Sequence, residues 1–136
     1  MKRMMAAVAG AAAVLALGAP VVQAAPVKDI YMVKHVEPTG DGMYVGEFVV
    51  LRKSGTQVVG ARGAFYSEYF CLRGTVSSGV FQVQKWDEFG NPNGTWTRPW
   101  VNGHIKSWKP VTWSTFMKYS GGFKPGKAIN YCISAT

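Results

Sequence analysis

GMYVGEFVVLRKSGTQVVG, residues 42–60, carries the pattern on which the fold reading turns. Tyr44, Phe48 and Val50 fall on one parity, and Met43, Val45, Val49 and Leu51 on the other. Successive side chains of an extended strand point to opposite faces, so this strand is apolar on both faces near its middle and is predicted to be covered on two sides. KSGT at 53–56 then supplies a turn, with Gly55 free to take a positive φ, and TQVVGA begins the return.

The same rhythm continues downstream. GAFYSEYFCLRG reads as a further strand, and SSG at 77–79 as a turn. VFQVQKW follows, alternating Phe81 and Val83 with Gln82 and Gln84. Trp86 closes this strand on the parity of Val80, across Gln82 and Gln84, and is expected in the core, whereas Trp100, after Pro99 and before a turn at VNG, is expected outside it. DEFGNPNG, 87–94, is dense in turn formers and reads as a long loop. VTWSTFMKYSGG has two readings: it alternates as a strand, yet Thr112 is placed to N-cap a short helix and Gly121 to end it. AINYCISA, 128–135, alternates Ile129, Tyr131 and Ile133 and reads as a last strand. The expectation is an all-β fold: a small antiparallel meander closing into a barrel or sandwich, with room for one short helix near 112–120.

Upstream, MKRMMAAVAGAAAVLALGAPVVQA has the form of a secretory signal. Lys2 and Arg3 precede an apolar run to Leu17, and Val22-Gln23-Ala24 makes a small-residue cleavage site. The run is too short to span a bilayer comfortably. Residues 1–24 are therefore read as a signal peptide and 25–136 as a single β-domain, secreted to an extracellular or periplasmic space, with no integral membrane span after signal removal. Cys71 and Cys132 are the only cysteines. In an exported chain they are expected to form one disulfide, joining the last strand to the interior of the sheet. With only His35 and His104, and no Cys-x-x-Cys spacing, no zinc set assembles. No metal or cofactor is expected.

Charge is unevenly distributed. From Ala25 to Glu88 seven basic residues balance seven acidic ones; from Phe89 to Thr136 there are six basic residues and no acid. TWTRPWVNGHIKSWKPVTW, 95–113, concentrates four of the five tryptophans in that basic part. Cations interleaved with flat rings suit an anionic polymer, whose charges the cations hold while the rings stack on sugars or bases. The candidate contact residues are Trp96, Arg98, Trp100, His104, Lys106, Trp108 and Lys109. Trp96, Arg98 and Trp100 share one face of a regular strand, an arrangement better suited to a surface than to a core. The competing reading makes these tryptophans core, since a small domain needs large apolar side chains.

Catalytic material is thin. HVEPTGDG, with His35, Glu37 and Asp41, reads as a strand end and turn. Glu47 lies in a strand, where an inward-facing carboxylate is costly. A Glu47–Glu68 acid pair, or a set of Glu68, Arg98 and His104, has no spacing that brings its members together, and Glu68 is expected to pair with Arg62, Arg73 or a lysine. There is no nucleophile elbow, no HExxH and no phosphate-cradling loop. No catalytic residues are assigned. The sequence points to a secreted, non-catalytic binding domain for an anionic or sugar-bearing polymer: cell-wall polysaccharide, teichoic acid, lipopolysaccharide or extracellular nucleic acid. The alternatives are a secreted inhibitor or effector that docks on another protein through the 87–110 loop, and a small secreted hydrolase.

Overall fold

Eight strands follow one another around a single antiparallel sheet. A computed structural model describes residues 26–136; the expected signal segment, 1–24, lies outside them. The strands are β1 (Val27–Pro38), β2 (Tyr44–Ser54), β3 (Gln57–Ala64), β4 (Tyr69–Ser77), β5 (Val80–Trp86), β6 (Pro92–Val101), β7 (His104–Ile105) and β8 (Lys109–Val111). Neighbours in the chain are neighbours in the sheet from β1 to β7, and β8 pairs back onto β1. The sheet thus nearly closes into a barrel, with residues 106–108 carrying the chain across the seam between β7 and β8. Trp108, only 3% exposed, fills that seam. Beside it the Ile105 amide donates to Met32 Sδ at 3.4 Å and the Lys106 amide to the Pro99 carbonyl at 2.9 Å.

The two-sided pattern of 42–60 reflects two distinct cores. Val49 and Leu51 point into the barrel with Ile30, Met32, Val58, Leu72, Phe81, Val83 and Ile105. Phe48 and Val50 point outward, where α1 (Trp113–Ser120) and α2 (Pro125–Ala135) cover the sheet with Phe116, Ala128 and Ile129. Tight coiling of the sheet rests on Gly60 and Gly74. A Cβ at Gly60 would collide with the Val50 carbonyl and Leu51 Cα, and one at Gly74 with the Gln82 carbonyl and Val83 Cα.

The short helix allowed near 112–120 is α1. Thr112 Oγ1 accepts from the Thr115 amide at 3.2 Å, and Gly121 closes the helix at φ 64°. AINYCISA is a helix, not the expected strand. Pro125 starts it without losing a hydrogen bond, because the first helical N–H has no partner within the helix. Ala128, Ile129 and Cys132 then form one buried helical face, leaving Tyr131 and Ile133 outside. The disulfide Cys71–Cys132 therefore ties the outer face of β4 to α2 rather than joining two strands. The 87–94 loop is shorter than expected, because β6 already begins at Pro92. Among the described residues, no helix is long and apolar enough to cross a membrane.

Candidate functional site

Connections β1–β2, β3–β4 and β5–β6 lie at one end of the barrel, and the lining face changes character as it approaches them. On β1 the inward row continues from Met32 to Lys34; on β2 Glu47 precedes Val49; on β3 Arg62 follows Gly60. On β4 Phe70 precedes Leu72, and on β5 Lys85 follows Val83. Strand alternation alone turns these side chains inward. Their position above the last apolar layer makes them the mouth of the barrel rather than its core.

Arg62 is the centre of this mouth. Its guanidinium carbon lies 4.2 Å from the Trp96 ring centroid and 5.4 Å from that of Trp108, while Nη2 is 3.4 Å from Glu47 Oε1. Trp96 and Trp108 meet edge to face at 6.0 Å. Lys34 Nζ stands 5.5 Å from the Trp108 ring and Lys85 Nζ 5.8 Å from the Phe70 ring. A recess of about 570 Å³ opens here, lined in part by Glu47, Arg62, Ser67, Glu68, Phe70 and Lys85. Arg62 keeps 28% of its side chain accessible and Glu47 41%, so the ion pair remains reachable from solvent. The recess thus holds Arg62 and Lys85 together with the carboxylates of Glu47 and Glu68, and the Arg62–Glu47 pair is a long one at 3.4 Å.

The structure divides the residues of 95–113. Trp96, Arg98 and Trp100 do share one face of β6, but it is the barrel-lining face. Trp96 serves the mouth. Trp100 lies beside the β4–β5 turn at the opposite end, its amide bonded to the Gly79 carbonyl at 2.9 Å, and its ring stacks on Phe81 at 6.0 Å. Arg98 is half-buried there, and its Nε is buried without a hydrogen-bond partner. Trp108 is core, whereas Trp100 is half-buried and packs against the core without joining it. Trp86 is also only half-buried, packed on the helix side of the sheet, so the expected contrast between the two is absent. Parity was read correctly on β6, but closure of the sheet into a small barrel turns that face inward. His104 is half-buried with Nδ1 2.9 Å from the Ile105 carbonyl oxygen, and Lys106 and Lys109 are exposed at the seam. The seven candidates therefore do not form one surface.

Sequence reading passed over Lys34, Arg62, Phe70 and Lys85 as site residues, and noted Glu47 only as a costly inward carboxylate. The available signal was parity: Arg62 falls in step with Val58 and Gly60. Arg62 takes Glu47, not Glu68, as its partner. Arg73 binds Thr136 Oγ1 at 2.7 Å and the Ile133 carbonyl at 3.1 Å. Glu68 instead adjoins Glu88, whose carboxyl is raised above its ordinary value, first by a hydrogen bond with Glu68 and then by slight desolvation and by repulsion from Glu68 and Asp87. No protein-family model, curated protein or solved structure matches the chain.

Proposed function

We propose that the protein is a secreted, non-catalytic binding domain that takes an anionic group of an extracellular or cell-surface polymer at the barrel mouth. The observation that carries this reading is Arg62, held against the Trp96 and Trp108 rings yet only loosely neutralised by Glu47, with Lys34 and Lys85 beside it. Ring contacts fix the guanidinium before any ligand arrives, which lowers the ordering cost of binding. Tryptophan here positions a cation and does not serve as an open stacking platform. The disulfide and the signal-like residues 1–24 support export to an oxidising compartment. Mass analysis of the exported chain should place its N-terminus at Ala25.

Oligogalacturonate and a single-stranded oligonucleotide are suitable anionic probes. Arg62→Gln with Lys85→Gln should weaken binding and reduce the salt dependence, by about one slope unit per lost phosphate contact for the oligonucleotide. Equal affinity in the double variant would overturn the reading.

One observation favours the second reading, docking on another protein. Phe89 is 80% exposed at the tip of the β5–β6 loop, which is locked by Asp87: Oδ1 accepts from the Phe89 and Asn91 amides, each at 2.9 Å. A rigidly displayed aromatic side chain is a natural interface anchor. Such an interface would lose far less affinity with added salt than the mouth would.

A further inference from the structure

A second groove runs along the outside of the barrel between the start of β4 and α2, adjoining the mouth recess at Ser67 and Glu68. It consists of two adjoining recesses of about 400 and 430 Å³, within the roughly 300–1,000 Å³ usual for small-ligand sites. Tyr69, Phe123 and Tyr131 line both. The first recess adds Lys124 and Lys127; the second adds Ser67, Glu68 and Glu88. The groove thus has an aromatic middle, a cationic end and an anionic end.

Each part has a local cause. Tyr69 opens β4 on the outward parity of Cys71, and Phe123 packs against it edge to face at 5.7 Å and 83°. Tyr131 stands on α2 next to the buried face, and the Cys71–Cys132 bond holds that helix over β4. It remains 52% exposed, a large ring left in solvent beside two others. The Tyr69 hydroxyl is raised above its ordinary value, first by burial and then by the neighbouring Tyr131. Among the described residues neither Lys124 nor Lys127 joins an ion pair. The α2 N-terminus beside them has no acidic residue in its first turn and no side-chain cap. That end therefore favours an anion. At the other end the carboxyls of Glu68 and Glu88 line the same recess, an acidic pair suited to a cation.

We infer that this groove binds a zwitterion of the phosphocholine class, with a substituted ammonium against Tyr69, Phe123 and Tyr131 on the Glu68/Glu88 side and a phosphate on Lys124 and Lys127. A lone cation would use one end and a lone anion the other; only a ligand carrying both charges uses the whole groove. A substituted ammonium, poorly hydrated and unable to donate strong hydrogen bonds, gains most from aromatic faces. The inference uses none of the mouth cations, although Ser67 and Glu68 line both recesses.

The test is an NMR titration of the full exported chain with phosphocholine, with choline chloride and inorganic phosphate as controls. Phosphocholine should give saturable shifts of the Tyr69, Phe123 and Tyr131 ring signals, with choline and phosphate each binding at least about tenfold more weakly. Tyr131→Ala, and separately Lys124→Gln with Lys127→Gln, should each cost about tenfold in affinity, while Arg62→Gln should leave it unchanged. Tyr131, Lys124 and Lys127 are exposed, and an intact Cys71–Cys132 bond with preserved methyl signals checks the fold of each variant. Vesicles of phosphatidylcholine separate the sources: co-sedimentation with them identifies a lipid head group, and binding of free phosphocholine alone identifies a soluble or polymer-borne one. Absence of saturable shifts up to about 20 mM phosphocholine, or choline binding as tightly as phosphocholine, would overturn the inference.

Discussion

Arg62 carries a charge on the lining face of a barrel whose next layer inward is Leu51 and Leu72 on either side of Gly60. Its stacking on Trp96 and Trp108 is worth about 0.5–2 kcal/mol, since the site is partly desolvated. Arg62→Ala should therefore lower stability by about 1–2 kcal/mol in chemical denaturation, through lost stem packing as well as lost charge. Arg62→Lys should recover only part, because an ammonium lacks the broad, delocalised guanidinium that reaches both rings. A different residue-scale effect governs the β1–β2 turn. Thr39 Oγ1 donates to Asp41 Oδ1, and the Met43 amide donates to the same oxygen at 3.2 Å. These bonds, the Thr39 bond first, hold the Asp41 carboxyl below its ordinary value. A depressed folded pKa means that the Asp41 contribution is present above about pH 4 and is lost as the pH falls through the folded value. Thr39→Val should move the Asp41 titration, followed by carboxyl NMR, upward toward the ordinary value. No movement would show that the hydroxyl bond contributes nothing in solution.

At the scale of elements, α2 is fastened to the barrel at several points. Cys132 is bonded to Cys71 across a sequence separation of 61. Arg52, itself paired with Asp29 at 2.8 Å, donates to Asn130 Oδ1 at 3.0 Å. Arg73 reaches the Ile133 carbonyl and Thr136 hydroxyl, satisfying helix C-terminal acceptors. Replacing both cysteines by alanine should cost about 2–4 kcal/mol in thermal or denaturant unfolding. The helix should persist in the folded state because the arginine contacts and the Phe116–Phe48 core remain. Hydrogen exchange should accordingly rise most in α2 and little in β2 and β3; uniform loss of protection would mean that the disulfide supports the whole barrel.

For the molecule as a whole, the critical element is closure. Seven strands in sequential order leave β1 and β7 as edges, and exposed edges invite pairing with other chains. β8 covers part of β1, and Trp108 packs into the remaining seam. Trp108→Ala should therefore cost about 3–5 kcal/mol and open the seam. It should also loosen Arg62, so tryptophan fluorescence and probe affinity should change together. Gly60→Ala tests coiling separately. Its methyl would meet backbone of β2 rather than a movable side chain, so a loss of about 2–3 kcal/mol is expected without a change in mouth chemistry.

The antiparallel all-β meander was legible in the sequence, whereas the choice between barrel and sandwich was not. Double-sided apolarity at 42–60, and turns needing positive φ at Gly55 and Gly79, are demands on single strands and turns, and neighbouring residues express them. Thr112 and Gly121 marked α1 for the same reason: a cap acts within one turn of helix. Residues 128–135 fit two periods, with Ile129, Tyr131 and Ile133 alternating as in a strand and Ala128, Ile129 and Cys132 grouping as on a helix. Nothing local chooses between them. Tertiary structure decides, because β8 already occupies the edge of β1 and Cys132 must reach Cys71 on the outer face of β4. The mouth is non-local in the same sense. Parity places Arg62 and Trp96 each on one face of its own strand, but only closure makes those faces a common interior and brings them to 4.2 Å. Charge and ring content were determined by sequence alone; which cation meets which ring was decided by the barrel, since strands distant in sequence become neighbours only when the sheet curls.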